Sequence, residues 1–88
     1  MVALTYKVMP DSGVDDVSAE DIATQIVALK DETYDVQLCE TKPLAFGLKF
    51  IQVHVVMNDG SGLSDIFEDS MRAIHGTGEI EVLSMGLL

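Results

Sequence analysis

Cys39, His54 and His75 are the side chains of this sequence able to act as soft nucleophiles or to bind a transition metal. Zinc-type sites use ligands at short spacings such as CxxC or HxxxH, and no two of these three fall within one helical turn of each other. Cys39 as a nucleophile would need a histidine and an orienting carboxylate held beside it in space, and the sequence shows no such arrangement. They are expected to be scattered core or surface residues with no metal. Asp15, Asp16, Glu20 and Asp21 form an acidic run at a helix-like stretch. It lacks the twelve-residue loop with alternating ligands that calcium takes, so it reads as charge favouring a helix start. Gly60-Ser61-Gly62 precedes a second helix-like stretch but lacks the GxxxxGK[ST] pattern and lysine of a phosphate cradle. No catalytic residue and no cofactor are expected.

Two apolar features stand apart from that chemistry. Pro43-Leu44-Ala45-Phe46-Gly47-Leu48-Lys49 carries apolar residues through a connection, where most loops are polar. Phe46 at such a corner either caps the core or stands exposed, and composition favours the core. The second feature is the tail Met85-Gly86-Leu87-Leu88, which suggests a docked end or an interaction point.

The elements that must position these residues follow from periodicity. Val2, Leu4, Tyr6 and Val8 share one phase of an alternating pattern that Pro10 closes. Ser18 and Asp21 form a capping-box-like pair ahead of Ile22, Ile26 and Leu29, the stripe of an amphipathic helix predicted to end over 31–33. Residues 34–41 alternate weakly, with Val36 and Leu38 set against Asp35 and Gln37. Residues 48–57 form a clearer strand, with Ile51, Val53, Val55 and Met57 on one face and Phe50, Gln52, His54 and Val56 on the other. A turn cluster at 58–62 leads into Leu63, Ile66, Phe67, Met71 and Ile74 at helical spacing, a helix predicted to stop at Gly76 and Gly78. Residues 79–85 read as the last strand.

The order β-α-β-β-α-β predicts an α+β, ferredoxin-like α-β sandwich: a four-stranded antiparallel sheet with two helices on one face. Strands one and three should lie together in the centre. Ile51, Val53 and Val55 should face the helices, and Gln52 and His54 the open side. The chain of 88 residues is expected to form a single domain over 1–88.

Charge narrows the partners. Five Lys+Arg against 15 Asp+Glu leave a net charge of −10 at pH 7, and no two basic residues are adjacent. Direct nucleic-acid binding needs a basic stripe, and an anionic membrane surface would repel this chain. The basic-aromatic signature of RNA-recognition domains is also missing from the third strand. A basic surface on another protein is the charged partner that fits. One cysteine leaves no internal disulfide, and the opening residues have no basic segment of a signal peptide. The apolar runs fall far short of the ~20 residues that span a bilayer. The chain is therefore expected to be soluble and cytoplasmic.

Three stretches resemble the guanine-nucleotide exchange domain of translation elongation factor one-beta, in its short archaeal-type form. Lys7-Val8-Met9-Pro10 with its acidic turn is similar to that family's first strand and loop. The block from Pro43 to Lys49, running on through Ile51-Gln52-Val53, Val55-Val56 and Asn58-Asp59, resembles its most diagnostic segment. The tail from Ile80 to Leu88 is similar to its last strand and ending. The resemblance is collinear over nearly the whole chain.

It implies an exchange factor, not an enzyme, that promotes GDP release from, and GTP loading of, elongation factor 1-alpha. Phe46 would insert into the GTPase, flanked by Ala45 and by Gly47, which allows its close approach. Lys49 and the end of the chain, Met85, Leu87 and Leu88, would be contact elements of a protein expected to be a monomer. The family usually carries a basic residue next to the last position, where this chain has Leu87. The resemblance therefore leaves three expectations: a wedge working without that charge, Lys49 supplying it, or a degenerate relative that binds the GTPase without exchange. A reading of another class is a ferredoxin-like regulatory module that binds a small molecule or self-associates through its open sheet face.

Overall fold

The computed structural model describes residues 1–11, 13–14, 16–44, 48–58 and 62–87. The elements are β1 (Val2–Pro10), α1 (Ala19–Val27), β2 (Tyr34–Pro43), β3 (Lys49–Met57), α2 (Leu63–Arg72) and β4 (Thr77–Leu87). The four strands form one antiparallel sheet in the order β2-β3-β1-β4, so the first and third strands are central, as the element order predicts.

Alternation sets the faces. Leu4, Tyr6 and Val8 lie opposite Val55, Val53 and Ile51 across the β1–β3 ladder, and all six are buried. Ile22 and Ile26 of α1 and Phe67 and Met71 of α2 close over them in one core. Each such side chain contributes roughly 1.5–3 kcal/mol on burial. The Phe67 ring sits between Tyr6 and Tyr34, at centroid distances of 6.1 and 4.9 Å. Both phenols find acceptors at the layer boundary: Tyr34 donates to the Leu63 carbonyl at 2.8 Å and Tyr6 to Glu68 Oε2 at 3.2 Å.

The capping box at α1 is formed. The Asp21 amide donates to Ser18 Oγ at 3.1 Å, and the Ser18 amide donates back to Asp21 Oδ2 at 3.0 Å. The helix stops at Val27, earlier than the periodicity predicts. Leu29 and Lys30 instead donate to the carbonyls of Ile26 and Val27, three residues back. The Asp31 carboxylate then accepts from the amides of Thr33 and Tyr34 at 2.8 and 3.0 Å, a local turn that outcompetes a further helical turn. Leu29 still packs against the core.

Helix α2 likewise ends at Arg72, short of the predicted glycine stop. Ile66 is 56% exposed, off the stripe formed by Leu63, Phe67, Met71 and Ile74. Gly76 turns the chain at φ 95°, where a Cβ would also collide with Val17 Cγ2. Gly78 belongs to β4, which is longer at both ends than residues 79–85. Of the predicted 58–62 turn, residues 59–61 lie outside the described set, and Gly62 adopts φ 80° at the start of α2.

Three register shifts interrupt the ladders, one of them between the Val8–Ile80 and Pro10–Thr77 pairs, and they change which residues face the core. In the β2–β3 ladder Val36 lies opposite Val55 and Leu38 opposite His54, so the shift falls at Gln37. Val36 thus faces the helices, whereas Leu38 passes to the open face and Cys39 takes its place inward, opposite Val53. Strict alternation had placed Val36 and Leu38 together. A β-bulge of one residue reverses the phase of everything beyond it. The second shift, at Leu83, lies between Val82 opposite Tyr6 and Ser84 opposite Thr5.

Candidate partner-binding surfaces

The Pro43–Lys49 pair and the end of β4 occupy opposite ends of the sheet. Lys49 pairs with Pro43 where β2 and β3 meet, while Leu87 pairs with Val2, which itself pairs with Met57 at the far end of β3. Along β3 that separation is roughly 27 Å at ~3.4 Å per residue. Any single partner touching both must reach along most of the molecule, whose longest extent is 37 Å.

At the first end the chain is drawn together by backbone bonds. The Leu44 amide donates to the Leu48 carbonyl at 2.6 Å, and the Asp11 amide to the Gly76 carbonyl at 2.7 Å. Ala45, Phe46 and Gly47 lie outside the described residues, while Leu48 beside them is 56% exposed. A cleft of about 760 Å³ opens here, floored by Met9, Pro10, Ala19 and Leu48 and edged by Glu20 and Glu79. Gly78 also lines it, and a Cβ there would stand 2.9 Å from the Met9 carbonyl oxygen. Lys49 Nζ donates to Glu20 Oε1 at 2.6 Å, which holds the Glu20 carboxyl below its usual range. Lys49 is therefore ion-paired to the first turn of α1.

The other end is apolar, and none of the residues lining its groove is a lysine or arginine. Met85 and Leu87 are 71% and 82% exposed, and with Val2, Leu4, Met57, Asn58 and Ser64 they line a groove of about 350 Å³. Leu88 lies outside the described residues. The basic residues are engaged elsewhere: Lys30 with Asp35, Lys42 with Glu40, Arg72 with Glu68 and Asp69, and Lys7 over the Phe50 ring at 5.2 Å.

The acidic run at the start of α1 is divided among separate tasks. Asp16 accepts from His75 Nε2 at 2.9 and 3.0 Å, a bond that lowers the Asp16 pKa, while Glu20 holds Lys49 and Asp21 caps the helix. Asp15 lies outside the described residues. Cys39, His54 and His75 have separate surroundings. The Cys39 thiol donates to the Ala23 carbonyl at 3.4 Å, and burial pushes its pKa up to about 11, so it is a poor nucleophile at neutral pH. His54 Nδ1 lies 3.0 Å from Thr5 Oγ1 on the open face. Among the described residues no three His, Cys, Asp or Glu side chains converge as metal ligands would.

Val82 and Leu83, 45% and 49% exposed, are the surface residues that sequence reasoning passed over. Their adjacency within an alternating strand is the available signal, because two apolar neighbours break the alternation where a bulge lies.

A model of the EF-1 guanine nucleotide exchange domain matches residues 3–88 of this chain. The elongation factor 1-beta of Methanothermobacter thermautotrophicus is 36% identical over 81 residues, covering 92% of this chain and 89% of that protein. That of Methanosphaerula palustris is 33% identical over 86 residues, covering 98% and 95%. That of Metallosphaera sedula is 33% identical over 85 residues, covering 96% and 91%.

Proposed function

Because the chain belongs to the EF-1 guanine nucleotide exchange domain family, we propose that it promotes GDP release from, and GTP loading of, elongation factor 1-alpha during translation elongation. The match over residues 3–88 carries this reading, since it includes both the 43–49 block and β4. The whole chain, 1–88, then acts as one exchange domain, as a monomer in the cytoplasm.

The mechanism is linkage. A partner that binds the nucleotide-free GTPase more tightly than the nucleotide-bound form must weaken nucleotide binding by the same factor. No bond is made or broken in the exchange factor, so it needs no catalytic side chain and no cofactor. Phe46 is the inserting group, with Ala45 a neighbouring contact and Gly47 allowing the close approach. Lys49 contacts the GTPase from the same end, and Met85, Leu87 and Leu88 from the other. The two ends suit a partner that is gripped at separated points, and the −10 charge suits a basic protein surface rather than the phosphates themselves.

Leu87, where the resemblance to the family leads one to expect a basic residue, motivates a second reading: a relative that binds the GTPase and no longer exchanges its nucleotide. One experiment separates the two. Release of a fluorescent GDP analogue from purified elongation factor 1-alpha is followed with magnesium present and this protein added. Concentration-dependent acceleration supports exchange. Unchanged release with tight binding to the nucleotide-free GTPase supports the second reading, and absence of both rejects the partner.

A further inference from the structure

Strand β4 is an edge with one paired side. It bonds to β1 and ends the sheet, so its outer backbone groups are available over an eleven-residue strand. Such edges recruit further strands unless they are blunted. The register sorts its side chains by face. Ile80, Val82, Met85 and Leu87 lie opposite Val8, Tyr6, Leu4 and Val2, which puts all four on the helix-bearing side. Glu81, Ser84 and Gly86 lie opposite Lys7, Thr5 and Ala3 on the other side. The bulge at Leu83 matters here: without it Met85 and Leu87 would turn to the polar side. One side of the edge is therefore continuously apolar from Ile80 on, and the other carries the Glu81 carboxylate.

We propose that the outer edge of β4 receives an extended segment of a protein partner whose residues alternate apolar and basic. Its apolar side chains cover Val82, Met85 and Leu87, and its basic ones meet Glu79 and Glu81. Strand addition supplies main-chain hydrogen bonds, while alternate side chains supply selectivity. Charge decides against a second copy of this chain. The edges a copy could offer are β4 again and β2, whose Lys42 is already paired with Glu40 and whose Asp35 holds Lys30. Like charges facing each other across strands are destabilising. The proposal is argued from register and charge, and it shares Met85 and Leu87 with the GTPase contact proposed above.

The test uses a seven-residue capped peptide alternating lysine and valine, titrated into the isotope-labelled full chain, with a glutamate-valine peptide as control. The expected result is saturable movement of amide signals in residues 77–87, with slowed hydrogen exchange there and none with the control peptide. Glu79→Gln with Glu81→Gln, which removes both charges without setting a lysine opposite Lys7, should weaken binding about tenfold while leaving the β1–β4 cross-strand contacts intact. Absence of saturable movement, movement spread over other acidic surfaces, or equal binding by the control peptide would overturn the proposal. So would concentration-dependent dimerisation through β4 without any peptide, which would assign the edge to a second copy. GDP release from elongation factor 1-alpha, measured on the same double variant, keeps failure of this inference distinct from failure of the exchange reading.

Discussion

Lys49 and Glu20 form an ion pair at 2.6 Å between the start of β3 and the first turn of α1, at the opposite end of the sheet from Leu87. Both side chains are half exposed, so the pair is screened and adds little to stability. Its position bears on whether Lys49 can replace the basic charge absent at Leu87. A lysine a strand's length from Leu87 is poorly placed to do so. Lys49→Met should therefore change stimulated GDP release by less than about threefold, as expected for an exposed pair. Loss of all stimulation in this variant would assign the charge to Lys49.

Leu87→Lys tests the same question from the other side. Leu87 is 82% exposed, so the lysine replaces no buried contact and the fold should be unchanged. GDP release should accelerate relative to the parent if the tail approaches the magnesium and phosphate region of the GTPase. An unchanged rate, with unchanged affinity for the GTPase, would place the tail elsewhere.

Phe46→Ala addresses the wedge. The substituted protein should keep its far-ultraviolet circular dichroism and lose stimulated release by at least about tenfold, the size expected when an anchoring aromatic at an interface is truncated. A folded variant with full activity would remove Phe46 from the mechanism.

Ser18→Ala removes the side-chain oxygen that accepts the Asp21 amide. The cost should be about 1 kcal/mol of unfolding free energy, read from urea titration. Exchange activity, compared where both proteins are folded, should be unaffected. Asp21→Asn keeps an acceptor for the Ser18 amide and should cost less.

The alkaline limb of stability should steepen early. Burial raises the Cys39 thiol from 9.0 to about 11, and burial together with the Glu68 charge raises the Tyr6 phenol as well. Both groups are neutral in the folded and unfolded chains below their unfolded pKa values, so stability is complete there. As pH rises past 9 the unfolded thiol ionises first, and stability falls until the folded pKa is passed. Between pH 8 and 10 the loss should be on the order of 1 kcal/mol from Cys39, with Tyr6 adding to it above pH 10. Cys39→Ala should flatten the pH 8–10 segment of the urea midpoint. An identical slope in that variant would mean that the thiol is not the titrating group.

Local patterns carried much of the architecture. Alternation at Val2, Leu4, Tyr6 and Val8, and again from Ile51 to Met57, named core strands whose facing side chains the ladder then paired. Ser18 and Asp21 marked the start of α1, Ile22 and Ile26 its buried face, and the element order implied the antiparallel sheet. The 43–49 block and the tail stood out as apolar where loops and ends are usually polar. All of these signals act within a few residues, so one chain read alone contains them.

The tertiary structure decided what depends on distant partners. Val36 and Leu38 look equivalent in a period-two pattern, yet the bulge at Gln37 places them on opposite faces and turns Cys39 inward. The bulge at Leu83 likewise aligns Val82, Met85 and Leu87 along one side of an open edge. His75 meets Asp16 across 59 positions and Lys49 meets Glu20 across 29, so no local window contains either pair. Register and long-range pairing are set by which strands and loops come together. Helix and strand periods determine faces only up to the next bulge, and the neighbouring strand is what locates it.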